Sequence, residues 1–236
     1  MKRVLLLLLV LVYGNCFSQK TIQDQRIWFA YLGQYKFSEK WGLHVEGQLR
    51  TDNELHQDLQ NIARLGGVYF LSPKETLMVG GALIDTYSSS ADKFFTEHRL
   101  WEQYQINTKW SKNIMTNRLR LEQRWIEQLA TKTTAYQNRF RYMNRNLFHI
   151  TDLKSVQAEF YAIVQDEVFI TIGENKVNSK FLDQNRLLVG LGLNNNNKFR
   201  LELGYMNQFV TSSYGSDAMN HIVSVTLFHN LDLQKH

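Results

Sequence analysis

The chain has 236 residues, with 27 Lys and Arg against 22 Asp and Glu, a formal charge of +5. That length suits one large β domain or two small ones. The charge excess is too small to argue for nucleic-acid binding, and one cysteine excludes an internal disulfide frame and a thiolate metal site.

Residues 1–18, MKRVLLLLLVLVYGNCFS, read as a cleaved signal peptide. Lys2 and Arg3 form its basic start, and residues 4–12 are nine unbroken apolar residues. A helix needs about 20 to span a bilayer. Cys16 and Ser18 fit a cleavage site before Gln19. Cys16 is the weaker reading as a lipoprotein acceptor, because Asn15 stands where a small residue is wanted. Removing residues 1–18 takes away Lys2 and Arg3 and no acid, leaving 25 basic against 22 acidic residues, or +3. No later stretch reaches 18 consecutive apolar residues. The exported chain, residues 19–236, is therefore expected as a single domain: an outer-membrane barrel, or alternatively a soluble periplasmic one.

From residue 26 onward the pattern has period two, the mark of strands with two unlike faces. The expected strands are 26–37, 41–50, 59–71, 75–86, 95–107, 114–126, 136–149, 156–168, 184–194, 198–210 and 219–231. In WGLHVEGQLR, Trp41, Leu43, Val45 and Leu49 oppose His44, Glu46, Gln48 and Arg50. Arg64 takes the polar phase of the third strand, while ETLMVGGALI sets Leu77, Val79 and Leu83 against small and mixed residues. Glu97 and Arg99 oppose His98 and Leu100. NRLRLEQRW puts Arg118, Arg120, Glu122 and Arg124 on one face and Leu119, Leu121, Gln123 and Trp125 on the other. Arg139 and Arg141 oppose Phe140 and Tyr142, and Glu159 follows on the next strand. Leu187, Val189, Leu191 and Leu193 oppose Arg186 and Leu188, and Leu201 and Leu203 oppose Arg200 and Glu202.

Most of these strands exceed the about 5–6 residues common in globular proteins and match the about 9–11 that cross a bilayer. Short connections such as SEK and SPK alternate with longer ones such as TYSSSADK, as outer-membrane barrels require. Aromatics gather beside the short turns, at Phe37, Trp41, Tyr69, Phe70, Trp110, Phe148 and Phe199, where a headgroup girdle would stand. The fold class is all-β: an antiparallel transmembrane β-barrel of about 10–12 strands. Bacterial single-chain barrels have even strand numbers, so twelve are expected, with ten as the alternative.

Hydrocarbon offers nothing to satisfy a charge, so the charged face points inward. The expected lumen wall is Arg50, Arg64, Glu97, Arg99, Arg118, Arg120, Glu122, Arg124, Arg139, Arg141, Glu159, Arg186, Arg200 and Glu202, with Glu46 beside them. Gln123 and Glu102 break the pattern by facing lipid. Two functions fit this wall. One is a narrow pore preferring small anions, because positive potential in a cleft concentrates them. The other is an Arg–Glu ladder that fills the barrel. About eight strands give a filled interior and 16–18 an open channel, so twelve leaves both open. Outer-membrane lipid is the expected surrounding partner, and the loops specify no protein partner.

The alternative of a lipid-modifying enzyme lacks a nucleophile–base pair: His98 and His221 fall in the outward phase and Ser224 in the other. Each glutamate has arginine nearby in its phase, which suits an ion pair better than acid–base work. The seven histidines show no ligand spacing. No catalytic residue, metal or cofactor is expected.

WGLHVEGQLR, EHRLWEQY, NRLRLEQRW, NRFRYMNR and QNRLLVGLGLNNNNKFRLELGYMNQF together resemble the uncharacterised secreted bacterial proteins of domain-of-unknown-function family 2490. The resemblance covers most of residues 19–236 and rests on spaced Trp, Glu, Arg and Gly-Tyr. It implies an outer-membrane-like β-barrel in a Gram-negative bacterium and brings no known activity.

Overall fold

Alternation becomes strand along the whole described chain. A computed structural model describes residues 21–173, 177–195, 198–213 and 215–234. The expected signal peptide lies outside the described residues. Eleven strands follow in order: β1 (Ile22–Lys36), β2 (Trp41–Asp52), β3 (Asp58–Phe70), β4 (Glu75–Ser88), β5 (Lys93–Trp110), β6 (Asn113–Gln128), β7 (Thr133–Leu153), β8 (Ala158–Ile172), β9 (Leu182–Asn195), β10 (Phe199–Val210) and β11 (Ala218–Asp232). They run from 12 to 21 residues.

Each strand pairs antiparallel with the next, and β11 closes on β1 in parallel, from Ile22↔Ala218 to Lys36↔Asp232. The parallel seam follows from parity. Successive strands alternate direction, so an odd number leaves the first and last running the same way. The barrel therefore has eleven strands, not twelve or ten, and one of its pairings is not antiparallel.

The connection at TYSSSADK and two others on the same rim are short. Residues 53–57, 89–92 and 129–132 are all that separate their strands, because the flanking strands β2 to β7 run further at this end than the sequence pattern suggested. The difference in loop length is carried by 173–181 and 211–217.

The apolar phase lies outside: Leu65, Val79, Leu100 and Leu203 are each more than half exposed. Aromatic pairs mark both rims of this outer face. Trp41–Tyr69, Trp110–Phe148 and Phe199–His229 stand by the short turns, and Tyr87–Phe94 and Trp125–Tyr136 by the opposite loops. Gln123 donates to Glu102 at 3.1 Å on this face, so the two exceptions pair with each other.

Inside, two apolar clusters flank the charges. Ile62, Val68, Met78, Ala82, Ile84 and Trp101 line β3–β5. Trp28, Leu147, Tyr161, Ile163, Leu188, Met206 and Ile222 line β1 and β7–β11. Trp101 fits because Gly66 and Gly80 lie under it. A Cβ on either glycine would stand 2.7 Å from the indole.

Candidate functional site

The registers set like charges side by side. Arg99 lies opposite Arg124 and Arg120 opposite Arg141. Such pairs repel unless something bridges them. Glu122 bridges from the centre, fully buried, accepting from Arg99 Nη1 at 3.2 Å, Arg139 Nε at 2.9 Å and Nη2 at 2.7 Å, and Arg141 Nη1 at 2.6 Å. Glu97 accepts from Arg99 Nε and Arg124 Nε, both at 2.7 Å. Glu167 accepts from Arg141 Nε at 3.0 Å and Arg118 Nη2 at 2.5 Å. Asp183 accepts from Arg139 Nη1 at 2.8 Å. Glu46 takes Arg64, with His44 Nε2 3.4 Å away. Arg120 donates to Gln103 Oε1 at 2.9 and 2.6 Å and reaches Glu122 only at 4.0 Å. Charge-assisted bonds of this kind are the strong ones, and the planar fork of arginine suits bridging two acceptors at once.

A second, smaller cluster sits nearer the short turns. Glu202 pairs with Arg145, with Arg200 Nε at 3.2 Å, and accepts from the Tyr161 hydroxyl at 2.9 Å.

Of the sequence-derived wall, Arg50, Arg64, Glu97, Arg99, Arg118, Arg120, Glu122, Arg124, Arg139, Arg141 and Arg186 come together in the first cluster, and Arg200 and Glu202 in the second. Glu159 joins neither. It shares the inward phase of β8 but stands exposed at the short-turn rim, accepting from Asn194 Nδ2 at 2.9 Å. Sequence reasoning passed over Glu167, Arg145 and Asp183. The first two were findable by phase alone, since Glu167 alternates with Glu159 and Arg145 with Arg141. Asp183 had no such signal, because the β8–β9 pairing shifts register between Phe169 and Ile170.

Arg50 and Arg186 differ from the rest: among the described residues neither makes an ion pair with a carboxylate, although Glu167 stands opposite Arg186 in the β8–β9 register. Arg50 donates to Gln48 Oε1 at 3.1 and 2.6 Å and to Gln60 Oε1 at 2.6 Å. Arg186 donates to Gln184 Oε1 at 3.1 Å, and the Gln208 amide lies 3.2 Å from its Nε and Nη2. Both guanidinium groups lie against the Trp28 indole, at 3.8 and 5.0 Å from the ring centre. They border a cavity of about 290 Å³ whose outer edge is Arg26, Leu59, Tyr87 and Val210, near the β2–β3, β4–β5 and β10–β11 loops. On these counts the network has nine arginines against five carboxylates, Glu46, Glu97, Glu122, Glu167 and Asp183, an excess of four.

Histidine and serine stand on opposite sides of the wall. His221 faces outward, 2.5 Å from the Tyr205 hydroxyl and 2.7 Å from Gln23 Oε1, and Ser224 is buried inside. Among the described residues no group of acids, histidines and cysteines is arranged to hold a metal ion.

Fold and interior together define a closed eleven-stranded β-barrel packed with an arginine–carboxylate network. The chain belongs to the family described as protein of unknown function, DUF2490, whose model matches residues 25–220 and so takes in both clusters. No curated protein and no solved structure matches it.

Proposed function

We propose that this chain is an outer-membrane β-barrel whose lumen is closed by its own side chains, a structural barrel rather than a pore. The observation that carries closure is a set of interior groups, drawn from both apolar clusters and the charged level between them, that water does not reach. Glu122, Gln137 and Phe169 at the charged level, and Val68, Trp101, Ile163 and Ile222 around it, are all at most 2% exposed. An aqueous path through the barrel would leave some of these groups wet. The apolar outer face and its two aromatic rims support a lipid surround, since amphipathic rings settle at headgroup level.

The test is planar-bilayer recording of the refolded barrel under a KCl gradient, after a heat-modifiable gel shift shows that it is folded. Silence is expected. A steady conductance reversing on the chloride side would overturn closure and make the arginines the selectivity wall of an anion pore. A chain that stays folded and monodisperse without detergent would overturn the membrane reading in favour of a periplasmic barrel.

A further inference from the structure

We infer that the cavity at the β10–β11 loop end is a binding site for a small oxyanion of the phosphate or phosphate-ester class, held between Arg50 and Arg186. The inference rests on the closed-lumen reading, since an open pore would pass anions rather than hold one.

Four observations converge. First, the interior carries four more arginines than carboxylates, and among the described residues two of these arginines make no ion pair: Arg50 contacts Gln48, Gln60 and the Trp28 ring, and Arg186 contacts Gln184, Gln208 and the Trp28 and Phe169 rings, while Glu167, opposite it on β8, is taken by Arg118 and Arg141. Buried cations in excess of their counter-charges are costly, so a mobile anion is the missing partner. Second, unused donors border the same cavity. Arg64 Nε and Trp28 Nε1 are buried and have no hydrogen-bond partner among the described residues. Buried donors are nearly always satisfied. Third, the donors come from different strands, β1, β2, β3 and β9. A polyatomic anion offers acceptors in several directions and matches the arginine fork, whereas chloride is a point charge. Fourth, Leu188, Met206 and Ile222 lie next along β9, β10 and β11 toward the short turns and are buried. They lie beyond the lining of the cavity as a buried apolar layer, so on the proposed reading an anion enters and leaves by the loop end. At about 290 Å³ the site lies at the lower end of ligand-pocket volumes, about 300–1,000 Å³, which suits a phosphate with a small appendage and excludes a polymer.

The decisive experiment is calorimetric titration of the folded barrel, in a neutral detergent at fixed ionic strength, with inorganic phosphate and separately with chloride. Phosphate is expected to bind at one site and chloride not to displace it. Arg186→Lys keeps the charge and the fold but loses the fork, and should weaken phosphate about tenfold. The double variant Arg50→Gln, Arg186→Gln should abolish binding, whereas Arg200→Gln, in the other cluster, should leave it unchanged. Equal phosphate heats from wild type and Arg186→Lys, or none from wild type, would overturn the site. Mixed micelles containing phosphatidic acid replace phosphate in a second arm. Competition from them assigns the phosphate to a lipid headgroup, and its absence to a free solute. The two readings fail separately: conductance with intact phosphate binding refutes closure alone, and a silent barrel that binds no phosphate refutes the site alone.

Discussion

The β5–β7 wall and the β9–β2 wall of this barrel use the same residue for different ends. On β5–β7, Arg99, Arg124, Arg139 and Arg141 each meet at least one carboxylate within 3.2 Å. Across the lumen, among the described residues, Arg186 on β9 and Arg50 on β2 make no ion pair, and their neighbours are amides and the rings of Trp28 and Phe169. The outer faces differ too. Behind the paired arginines lie polar groups: Glu102 with Gln123, and Asn117 accepting from Tyr142 at 2.8 Å and Asn144 at 2.9 Å. Behind Arg186 lie Leu187, Val189, Leu191 and Leu203, all exposed. An arginine's phase on a strand says which way it points, and its partners say whether it is scaffold or site.

The sharpest way to break this comparison is Glu122→Gln. It leaves Arg99, Arg139 and Arg141 sharing one lost counter-charge. Removing one partner of a buried ion pair costs about 3–5 kcal/mol, so urea unfolding of the folded barrel should show a loss of that order or a failure to refold. A loss below about 1 kcal/mol would mean that the paired wall is not the scaffold.

The outer faces give the next largest effect. Leu203 sits midway along β10 between Leu191 and Val225. Arginine at mid-bilayer on the lipid face costs about 2–4 kcal/mol, so Leu203→Arg should sharply reduce folding into vesicles. Folding into vesicles as efficient as wild type would remove lipid from this face.

Much of this was legible because a strand's side chains alternate with a period of two. NRLRLEQRW assigns Arg120 and Glu122 to one face without any knowledge of the fold, and the family resemblance covers the same strands. The eleven alternating segments were legible one by one and each became a strand; what was not legible was the closure, because even parity follows from antiparallel pairing throughout and a parallel seam between β1 and β11 leaves no mark in either strand. Nor was the division of the arginines. Arg118 and Arg186 look alike in sequence, and register alone would pair Glu167 with Arg186, its opposite residue on β9, yet Glu167 meets Arg118 across the lumen at 2.5 Å and Arg186 turns to Gln184. Glu159 shows the converse: its phase is inward, but its height at the end of β8 puts it in the open.

Glu102→Leu sharpens the outer comparison with a smaller effect. Glu102 lies near the middle of β5, beside Leu100 and Leu121. Acidic residues cost less than arginine on the lipid face, so this change should stabilise the barrel in vesicles by about 1 kcal/mol. Unchanged stability in vesicles would mean that the polar strip over β5–β7 is wetted or covered by something other than lipid.

The smallest expected effect is the most discriminating. In phosphate-free buffer, Arg186→Gln removes two amide contacts but also a half-buried charge that makes no ion pair. Replacing buried charges by neutral groups is often neutral or stabilising, so its unfolding midpoint should match wild type. A stability difference between the two proteins should open only when phosphate is added, because a ligand stabilises only the form that binds it. If Arg186→Gln instead costs as much as Glu122→Gln in the absence of phosphate, Arg186 belongs to the scaffold, and the two walls differ in geometry without differing in role.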